Sequence, residues 1–271
     1  MPTIEQLRQG LHLSFSQMQT YMICPESYRF QYVRGVKPEF VGSALPFGNA
    51  IHEALASYYR QIQATGEPPS LEALKASFAD HWSVQEEHGK DFVRFKGKET
   101  WSGLKDMGVG LLEAYYTWRA GLGVPTHDEI VAVELPLSAT LGDIEFIGAI
   151  DLILRDRDKP DRYHLIDHKT SARRFDETRI ATDHQLTAYR FLVEESGYLP
   201  MGAEFGFYWD VLLKQKNPVV ERYSTVRTEE AVKAFLGSAK AILRGIDHEV
   251  YFPSPGWGCT DCGFAAMCSA K

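Results

Sequence analysis

The chain of 271 residues has only four cysteines, and none of them lies between Cys24 and Cys259. It contains no apolar run of about 18 residues, so the sequence predicts no helix that spans a membrane. It also lacks a glycine-rich phosphate-binding loop, which argues against an ATP-driven motor. The first ten residues carry Glu5 and Arg8 without an apolar segment, which argues against a secretory signal and favours a cytosolic protein.

An excess of positive charge is missing as well. The 36 acidic residues outnumber the 29 basic ones and give a formal net charge of −7, so no general attraction to nucleic acid is expected. This balance does not exclude a nuclease, because an empty metal site is itself acidic and the bound ions reverse its local sign. Hydrophobic residues make up 44% of the chain, which is enough for a large core.

The periodicity of apolar residues changes along the chain. We expect a single domain with a mainly helical part at about 1–125, a sheet-containing core at about 126–245 and a cysteine-bearing tail at about 246–271. Helices are predicted within 13–32, with an interruption near Pro25, and at about 49–64, 70–86, 99–120, 180–196 and 228–244. Strands are predicted at about 130–137, 145–155, 163–169, 203–213 and 219–225. This order indicates an α/β fold with a mixed β-sheet flanked by helices.

Two carboxylates and a lysine fall on neighbouring predicted strands. Asp151 lies within an apolar run, and Asp167 directly follows Leu165-Ile166. The charged turn between them makes 144–155 and 163–169 the arms of a β-hairpin, in which the two carboxylates can converge on one hard cation. Lys169 shares a face with Asp167, whereas His168 faces away. An ammonium beside a metal can orient an attacking water or neutralise a phosphate.

A polar edge hairpin with solvated side chains is the alternative to a metal site at these residues. It would be the better interpretation of an isolated Asp-x-Lys triplet. Here, however, both carboxylates lie at the end of buried strands, where a charge is costly unless it is compensated. A divalent metal is the usual compensation, so the sequence favours a metal site.

The four cysteines form a second pattern. Cys259-x2-Cys262-x5-Cys268 is a compact chelating loop, and Cys24 can supply a fourth thiolate. Zinc and an iron–sulfur cluster both fit four soft ligands, and spacing alone does not choose between them. Two disulfides are the alternative, which a cytosolic location disfavours. A site that joins residue 24 to residue 268 would fasten the N-terminal helices to the tail, which indicates a structural role.

Weaker signals accompany these two patterns. Gln185 and Tyr189 stand at i and i+4 of a predicted helix, so they share a face and can reach a phosphate or a base. His52, near the start of an earlier helix, is by itself more often a structural histidine than a ligand. Glu134, in the strand at 130–137, is a further carboxylate for which a structural role is at least as good an interpretation. We therefore leave Glu134 out of the predicted site.

The order of these residues resembles the PD-(D/E)XK nuclease superfamily. It is similar in particular to the branch with the RecB-like and AddB-like nuclease domains and the CRISPR-associated iron–sulfur exonucleases. The resemblance extends from Ser14-Phe15-Ser16 and Cys24-Pro25 to Cys268. The motifs that carry it are His52, Asp151, Asp167-His168-Lys169 and Gln185-x3-Tyr189, with one early cysteine and three late ones. It implies a restriction-endonuclease-like mixed sheet with a C-terminal iron–sulfur loop.

The resemblance also implies roles for these residues. Asp151 and Asp167 would bind Mg²⁺ or Mn²⁺, with His52 as a further ligand and the backbone carbonyl of His168 completing the set. Lys169 would assist the nucleophilic water. Gln185 and Tyr189 would hold the wall of the active site or the DNA backbone. A 4Fe-4S cluster, in preference to zinc, would be held by Cys24, Cys259, Cys262 and Cys268.

The expected function is therefore a metal-dependent DNA exonuclease that acts on single-stranded DNA or DNA ends, in repair, recombination or CRISPR adaptation. The first alternative is a DNA-end-binding or DNA-end-processing subunit of a larger complex, with little activity alone. The second is an iron–sulfur redox sensor on a nuclease-derived scaffold. DNA is the expected partner in each case, with no membrane involved.

Overall fold

A computed structural model of the protein describes residues 2–121 and 128–268. The part before Gly121 is mainly helical and has two short parallel strands, β2 (Val41–Gly42) and β3 (Val93–Arg94). Its helices are α1 (Ile4–Leu7), α2 (Phe15–Ile23), α3 (Pro25–Tyr28) with a following π-helical turn (Arg29–Val33), α4 (Ala44–Thr65), α5 (Leu71–Gly89) and α6 (Trp101–Gly121). The predicted boundary near residue 125 lies outside the described residues.

A mixed six-stranded sheet forms the centre of the molecule. Its strands are β1 (His12–Ser14), β4 (Asp128–Leu141), β5 (Ile144–Asp156), β6 (Arg162–Ser171), β7 (Glu204–Leu213) and β8 (Val219–Thr225). Helices α7 (Glu177–Thr182) and α8 (Gln185–Glu195) connect β6 to β7, and α9 (Glu229–Asp247) follows β8. Because β6 and β7 are parallel whereas β4–β5, β5–β6 and β7–β8 are antiparallel, the sheet is mixed. The predicted α/β class, with a mixed sheet flanked by helices, is confirmed.

Strand β5 has an edge that is shared by two partners. Strand β4 pairs along one edge of β5 from end to end. On the other edge, β1 pairs in parallel with Glu145–Ile147, and β6 pairs in antiparallel fashion with Leu152–Arg155. The segment 148–151 lies between these two ladders. The sheet is therefore forked at the point where Asp151 is located.

Two apolar clusters cover the two faces of the sheet. The first cluster includes Phe146, Ile150, Leu192 and Phe235 and packs the sheet against α8 and α9. The second packs the sheet against α4, α5 and α6, and its members include Phe47, Tyr59, Phe78, Leu112, Leu152 and Ile166. Strand β5 contributes to both clusters, which explains its nearly continuous apolar sequence.

Two predicted helices differ from the structure. Leu13 belongs to β1, because it pairs with Phe146 and its side chain is fully buried in the first cluster. Helix α2 begins only after Ser14, whose hydroxyl accepts from the Gln17 backbone N–H as an N-cap. The single helix predicted at 180–196 is interrupted at Asp183, which is extended and ends α7. Its side chain accepts from the N–H of Gln185, the first residue of α8. No helix among the described residues is long and apolar enough to cross a membrane.

Candidate active site and cysteine cavity

The two carboxylates predicted from the hairpin meet at the fork of the sheet. The β5–β6 ladder ends at the pair Leu152–Ile166, and Asp151 and Asp167 are the next residues on their strands. The Tyr189 hydroxyl lies 3.1 Å from Asp151 Oδ1 and 2.9 Å from Asp167 Oδ1, so it donates to either. Both carboxylates are buried, at 8% and 0% exposure. The strands thus bring Asp151 and Asp167 together with a shared tyrosine.

Two further groups lie beside Asp151 of this pair. His52 Nδ1 is 3.3 Å from Asp151 Oδ2 and 4.0 Å from Glu134 Oε1. One ligand atom from each of His52, Glu134 and Asp151 lies within 4.8 Å of the others. Two carboxylate oxygens and an imidazole nitrogen suit a divalent cation such as Mn²⁺ or Mg²⁺. We call these three residues, with Asp167 and Lys169, the carboxylate centre.

Glu134 is the member of the centre that the sequence analysis left out. It lies between the register pairs Val133–Leu152 and Leu135–Ile150, and is therefore opposite Asp151. Residues opposite each other on antiparallel strands project to the same face, so a pairing of the predicted strands at 130–137 and 145–155 in this register would have placed Glu134 beside Asp151. The backbone of Glu134 has a φ of 49°, a rare left-handed conformation for a side chain of this size. Such conformations often occur at functional sites.

Burial and charge set the protonation of the carboxylates. Burial raises the pKa of Glu134 to about 8, with a further contribution from the Asp151 charge, although 28% of the side chain is exposed. Burial raises the pKa of Asp167 to about 6, against the opposing effect of Lys169. Burial would also raise the pKa of Asp151, but His52 and Lys169 hold it below its usual value. A cation bound here would displace a proton from Glu134 at neutral pH.

The two faces of β6 carry different chemistry, as predicted. Lys169 Nζ lies 2.7 Å from Asp167 Oδ2 and 3.0 Å from Oδ1. Burial lowers the pKa of Lys169, but Asp167 and Asp151 raise it by more, so the ammonium stays charged. The Lys169 side chain is 31% exposed, so this charge is accessible to a ligand.

His168 projects to the opposite face of β6. Its Nε2 lies 3.1 Å from the Tyr115 hydroxyl, which in turn lies 2.5 Å from the Tyr59 hydroxyl. Burial lowers the pKa of His168 to about 4, so the ring is neutral. Its backbone N–H donates to Asp151 Oδ2 at 2.8 Å. His168 thus orients the carboxylate through its backbone while its ring fastens β6 to the helical layer.

Gln185 and Tyr189 share one face of α8, as their spacing predicted. Both line a cavity of about 480 Å³ that is bordered by β1, α2 and β5. Tyr189 reaches the carboxylates from this cavity, whereas Gln185 is half-buried at the first residue of the helix. The two residues therefore form a wall beside the carboxylate centre.

The four cysteines are brought together elsewhere in the molecule. Cys24, Cys259, Cys262 and Cys268 are free thiols that line one cavity of about 810 Å³. Burial raises the pKa of the Cys262 thiol, and the other three thiols raise it further, as expected for neighbours. The fold thus brings Cys24 to the same cavity as the other three cysteines, although it is far from them in sequence.

Several contacts hold the C-terminal tail against the N-terminal helices. The Tyr21 hydroxyl donates to the Val250 carbonyl at 2.8 Å, and the Glu26 N–H donates to the Phe252 carbonyl at 3.1 Å. An ion pair joins Lys96 Nζ to Asp261 Oδ2 at 2.7 Å. The Glu39 N–H donates to the Gly263 carbonyl at 2.8 Å. The rings of Phe30 and Phe264 stack with their centroids 5.6 Å apart. The tail is thus fixed to the segments that surround Cys24.

Comparison with known sequences gives one family. A family model of the PD-(D/E)XK nuclease superfamily matches residues 12–269, a range that includes both the carboxylate centre and the four cysteines. No curated protein sequence matches the chain.

Two solved structures are similar to this chain. A "putative exonuclease" from Eubacterium rectale has a TM-score of 0.54 at 13% identity, and the match covers 88% of this chain and 82% of that one. The structure of SSO0001 has a TM-score of 0.38 at 14% identity, over 98% of this chain and 92% of that one. The first similarity, at 13% identity, concerns the fold alone.

Proposed function

Because the chain belongs to the PD-(D/E)XK nuclease superfamily, we propose that it is a metal-dependent DNA exonuclease that hydrolyses phosphodiester bonds in single-stranded DNA or at DNA ends. The observation that carries this proposal is the convergence of His52, Glu134 and Asp151 beside the Asp167–Lys169 ion pair. A purely structural set of buried charges has no need of three metal-type donors and a charged lysine at one point.

The donor set fits a divalent ion. Carboxylates of Glu134, Asp151 and Asp167 with the His52 imidazole would hold Mg²⁺ or Mn²⁺, and the backbone carbonyl of His168 is proposed as a further ligand. When bound, such an ion lowers the pKa of a water and stabilises charge on the phosphate. The four side chains alone leave two positions for water and substrate in a six-coordinate site, and the His168 carbonyl as a fifth ligand would leave one.

The residues around the donors have their own proposed tasks. Lys169, held by Asp167 and permanently charged, orients the attacking water and balances charge that develops on the phosphate. Tyr189 fixes the spacing of Asp151 and Asp167 through its hydroxyl. Gln185 forms the wall against which the DNA strand lies. Each of these groups is in place before a substrate arrives, which is what preorganised catalysis requires.

We propose a structural 4Fe-4S cluster at the four cysteines. The four thiols line one cavity of about 810 Å³. Their order along the chain, one early cysteine and three late ones, resembles that of the iron–sulfur exonucleases, and this resemblance supports a cluster in preference to one zinc ion. Iron, sulfide and zinc analysis of anaerobically purified protein tests this assignment, and stoichiometric zinc without iron would contradict it.

The RecB-like and AddB-like branch, with a cytosolic role in DNA repair, recombination or CRISPR adaptation, is proposed on the same basis. A second candidate function is a DNA-end-processing subunit with little activity alone. It is favoured by exposed apolar side chains at the cysteine-bearing tail, among them Trp257 at 85% and Phe252 at 52% exposure. Exposed patches of this kind often mark contacts with another protein.

A cleavage assay tests the leading proposal. Single-stranded and duplex DNA, labelled at the 5′ or the 3′ end, are incubated with the protein and Mg²⁺ or Mn²⁺. Lys169→Met should abolish product, whereas Lys159→Met, in the exposed turn of the same hairpin, should not. Product ladders from one labelled end would also give the polarity. Intact DNA in every wild-type lane would contradict the exonuclease proposal and favour the partner-dependent subunit.

A further inference from the structure

The cavity beside the carboxylate centre has the size of a ligand pocket. Its volume of about 480 Å³ falls within the range of roughly 300–1,000 Å³ that is usual for small-molecule sites. Tyr189, which contacts both Asp151 and Asp167, is part of its lining. A molecule in this cavity would therefore touch a side chain that is hydrogen-bonded to both carboxylates.

The forked sheet explains why the cavity lies here. Residues 146–149 of β5 line it, and they continue directly into Asp151. Strand β1 occupies this edge of β5 as far as Ile147, and β6 occupies it from Leu152 onward. The gap between the two ladders leaves the cavity open beside the backbone that presents Asp151.

One buried polar atom in the lining points to a ligand. Gln17, on α2, is 6% exposed and lines the cavity. Its Nε2 lies 3.2 Å from His12 Nε2. Because His12 Nδ1 donates to the Gly10 carbonyl at 2.8 Å, His12 Nε2 is the acceptor and Gln17 Nε2 the donor. The Gln17 amide oxygen is left without a hydrogen-bond partner among the described residues. Buried acceptors of this kind normally have a donor.

The remaining lining has two chemical characters. Helix α2 begins at Phe15 and helix α8 at Gln185, and both residues line the cavity. The N-terminus of α2 offers it the positive end of a helix dipole, whereas the Asp183 carboxylate already accepts from the Gln185 N–H of α8. Arg8 adds a full charge at the same place. The ring of Tyr32, 37% exposed, supplies an aromatic face of the kind on which nucleobases stack. This lining fits a ligand that has an anionic group, an aromatic ring and a hydrogen-bond donor, and a nucleotide has all three.

We propose that this cavity binds one nucleotide of the cleaved strand, adjacent to the scissile phosphate. The proposal rests on the proposed nuclease function and adds a specific subsite to it. The Gln17 amide oxygen accepts a hydrogen bond from an N–H of the base or from a terminal sugar hydroxyl. The phosphate lies toward Arg8 and the N-terminus of α2, and the base stacks on Tyr32. Gln17 is thus a binding residue outside the carboxylate centre.

The test compares Gln17→Met with Gln19→Met, an identical change at an exposed position of the same helix. Loss of one hydrogen bond should raise KM for a single-stranded oligonucleotide about threefold to tenfold in Gln17→Met. The Gln19→Met variant should match the wild type. Oligonucleotides that lack the terminal hydroxyl show which group donates to Gln17. If the hydroxyl is the donor, the KM values of the two variants should become equal on these oligonucleotides. If the base is the donor, the difference in KM should remain.

Binding is measured separately in an Asp167→Asn background that prevents cleavage. An oligonucleotide with 2-aminopurine at its end should change fluorescence on binding, and Gln17→Met should reduce that change. Equal KM and equal fluorescence in the two glutamine variants would overturn the proposal while leaving the nuclease function intact.

If Gln17→Met does not fold, the Ser16→Phe variant replaces it in the test, because Ser16 is exposed and lines the cavity. An unchanged KM in Ser16→Phe would then overturn the proposal. If the wild type cleaves nothing, the nuclease proposal fails, and the fluorescence measurement alone decides the subsite.

Discussion

The carboxylate centre and the cysteine cavity hold their ligand groups in different ways. Asp151 receives a hydrogen bond from the His168 backbone and Asp167 pairs with Lys169, while Tyr189 contacts both carboxylates. The Cys259 thiol, in contrast, is exposed and lies 4.0 Å from its nearest described acceptor, the Ser254 carbonyl. The carboxylates are positioned by the protein, whereas the thiols would depend on the proposed cluster to fix their positions. Changes at the first centre should therefore affect catalysis, and changes at the second should affect stability.

The largest effect is expected for Asp167→Asn. Asparagine keeps the volume but removes the charge that ligates metal and holds Lys169. We expect DNA cleavage to fall at least about a hundredfold, the scale of removing one preorganised electrostatic group. The melting temperature should change little, because a neutral amide is less costly than a carboxylate at this buried position, and Lys169 can reach solvent. End-labelled cleavage rates and thermal melts measure the two quantities.

Asp210→Asn is the matched control for this change. Asp210 is equally buried and pairs in register with His168, but its carboxylate binds Arg222 at 2.6 and 2.7 Å. Breaking that ion pair should lower the free energy of unfolding by about 3 kcal/mol and leave cleavage by the folded protein intact. If Asp167→Asn loses cleavage only because the protein unfolds, the expected difference between the two variants is contradicted.

A large effect on stability is expected for Cys262→Ser. Serine is a poor ligand for iron, so the cluster and its link between the tail and the N-terminal helices should be lost. We expect the melting temperature to fall by more than about 5 °C, roughly 2 kcal/mol for a chain of this length. Cleavage per folded molecule should be retained. Iron content, thermal melts and cleavage on the same samples check this, and an unchanged melting temperature would refute a structural role.

A moderate effect is expected for Glu134→Gln. Loss of this ligand should raise the Mn²⁺ concentration for half-maximal cleavage at least about tenfold, since even outer partners of metal ligands have effects of that size. Glu129→Gln, on the same strand but paired with Arg155 at its far end, is the control. Equal metal requirements in the two variants would remove Glu134 from the site.

The pKa of Glu134 adds a pH dependence to this variant. Its pKa in the folded protein, about 8, lies above the usual value of 4.5, so the folded state binds the proton more tightly than the unfolded state does. This contribution to stability is complete below pH 4.5 and is lost as the pH rises to 8. The melting temperature of metal-free protein should fall across that window, and Glu134→Gln should flatten the fall. A parallel decline in both proteins would contradict the assignment.

The smallest effect is expected for Tyr115→Phe. The change removes the hydroxyl that joins His168 to Tyr59 but leaves the ring in the second apolar cluster. We expect a loss of about 1 kcal/mol in the free energy of unfolding, because one buried polar contact is removed. Cleavage should change by less than a few-fold. A loss of activity as large as that of Asp167→Asn would mean that the helical layer takes part in catalysis directly.

The sequence made the two aspartates predictable, since Asp151 is a charged residue within an apolar run and Asp167 directly follows Leu165-Ile166. The separate faces of Asp167 and His168 followed from strand alternation alone. Glu134 was not predictable with the same certainty, because its position opposite Asp151 depends on the register of β4, and its left-handed backbone leaves no sequence signature. The three-residue strand β1 was too short to show a period, so Leu13 was assigned to a helix. The cavity proposed to bind a nucleotide depends on the gap between β1 and β6 along one edge of β5. No local sequence pattern predicts that gap.

Reversible removal of the metal tests the central claim most directly. Cleavage of end-labelled single-stranded DNA and the melting temperature are measured in Mg²⁺, after chelation with EDTA, and after Mn²⁺ is added back. We predict that chelation stops cleavage, that Mn²⁺ restores it, and that the protein stays folded throughout, since the carboxylate centre is held by its own hydrogen bonds. Cleavage that persists in EDTA, or that is lost only together with the fold, would contradict the account.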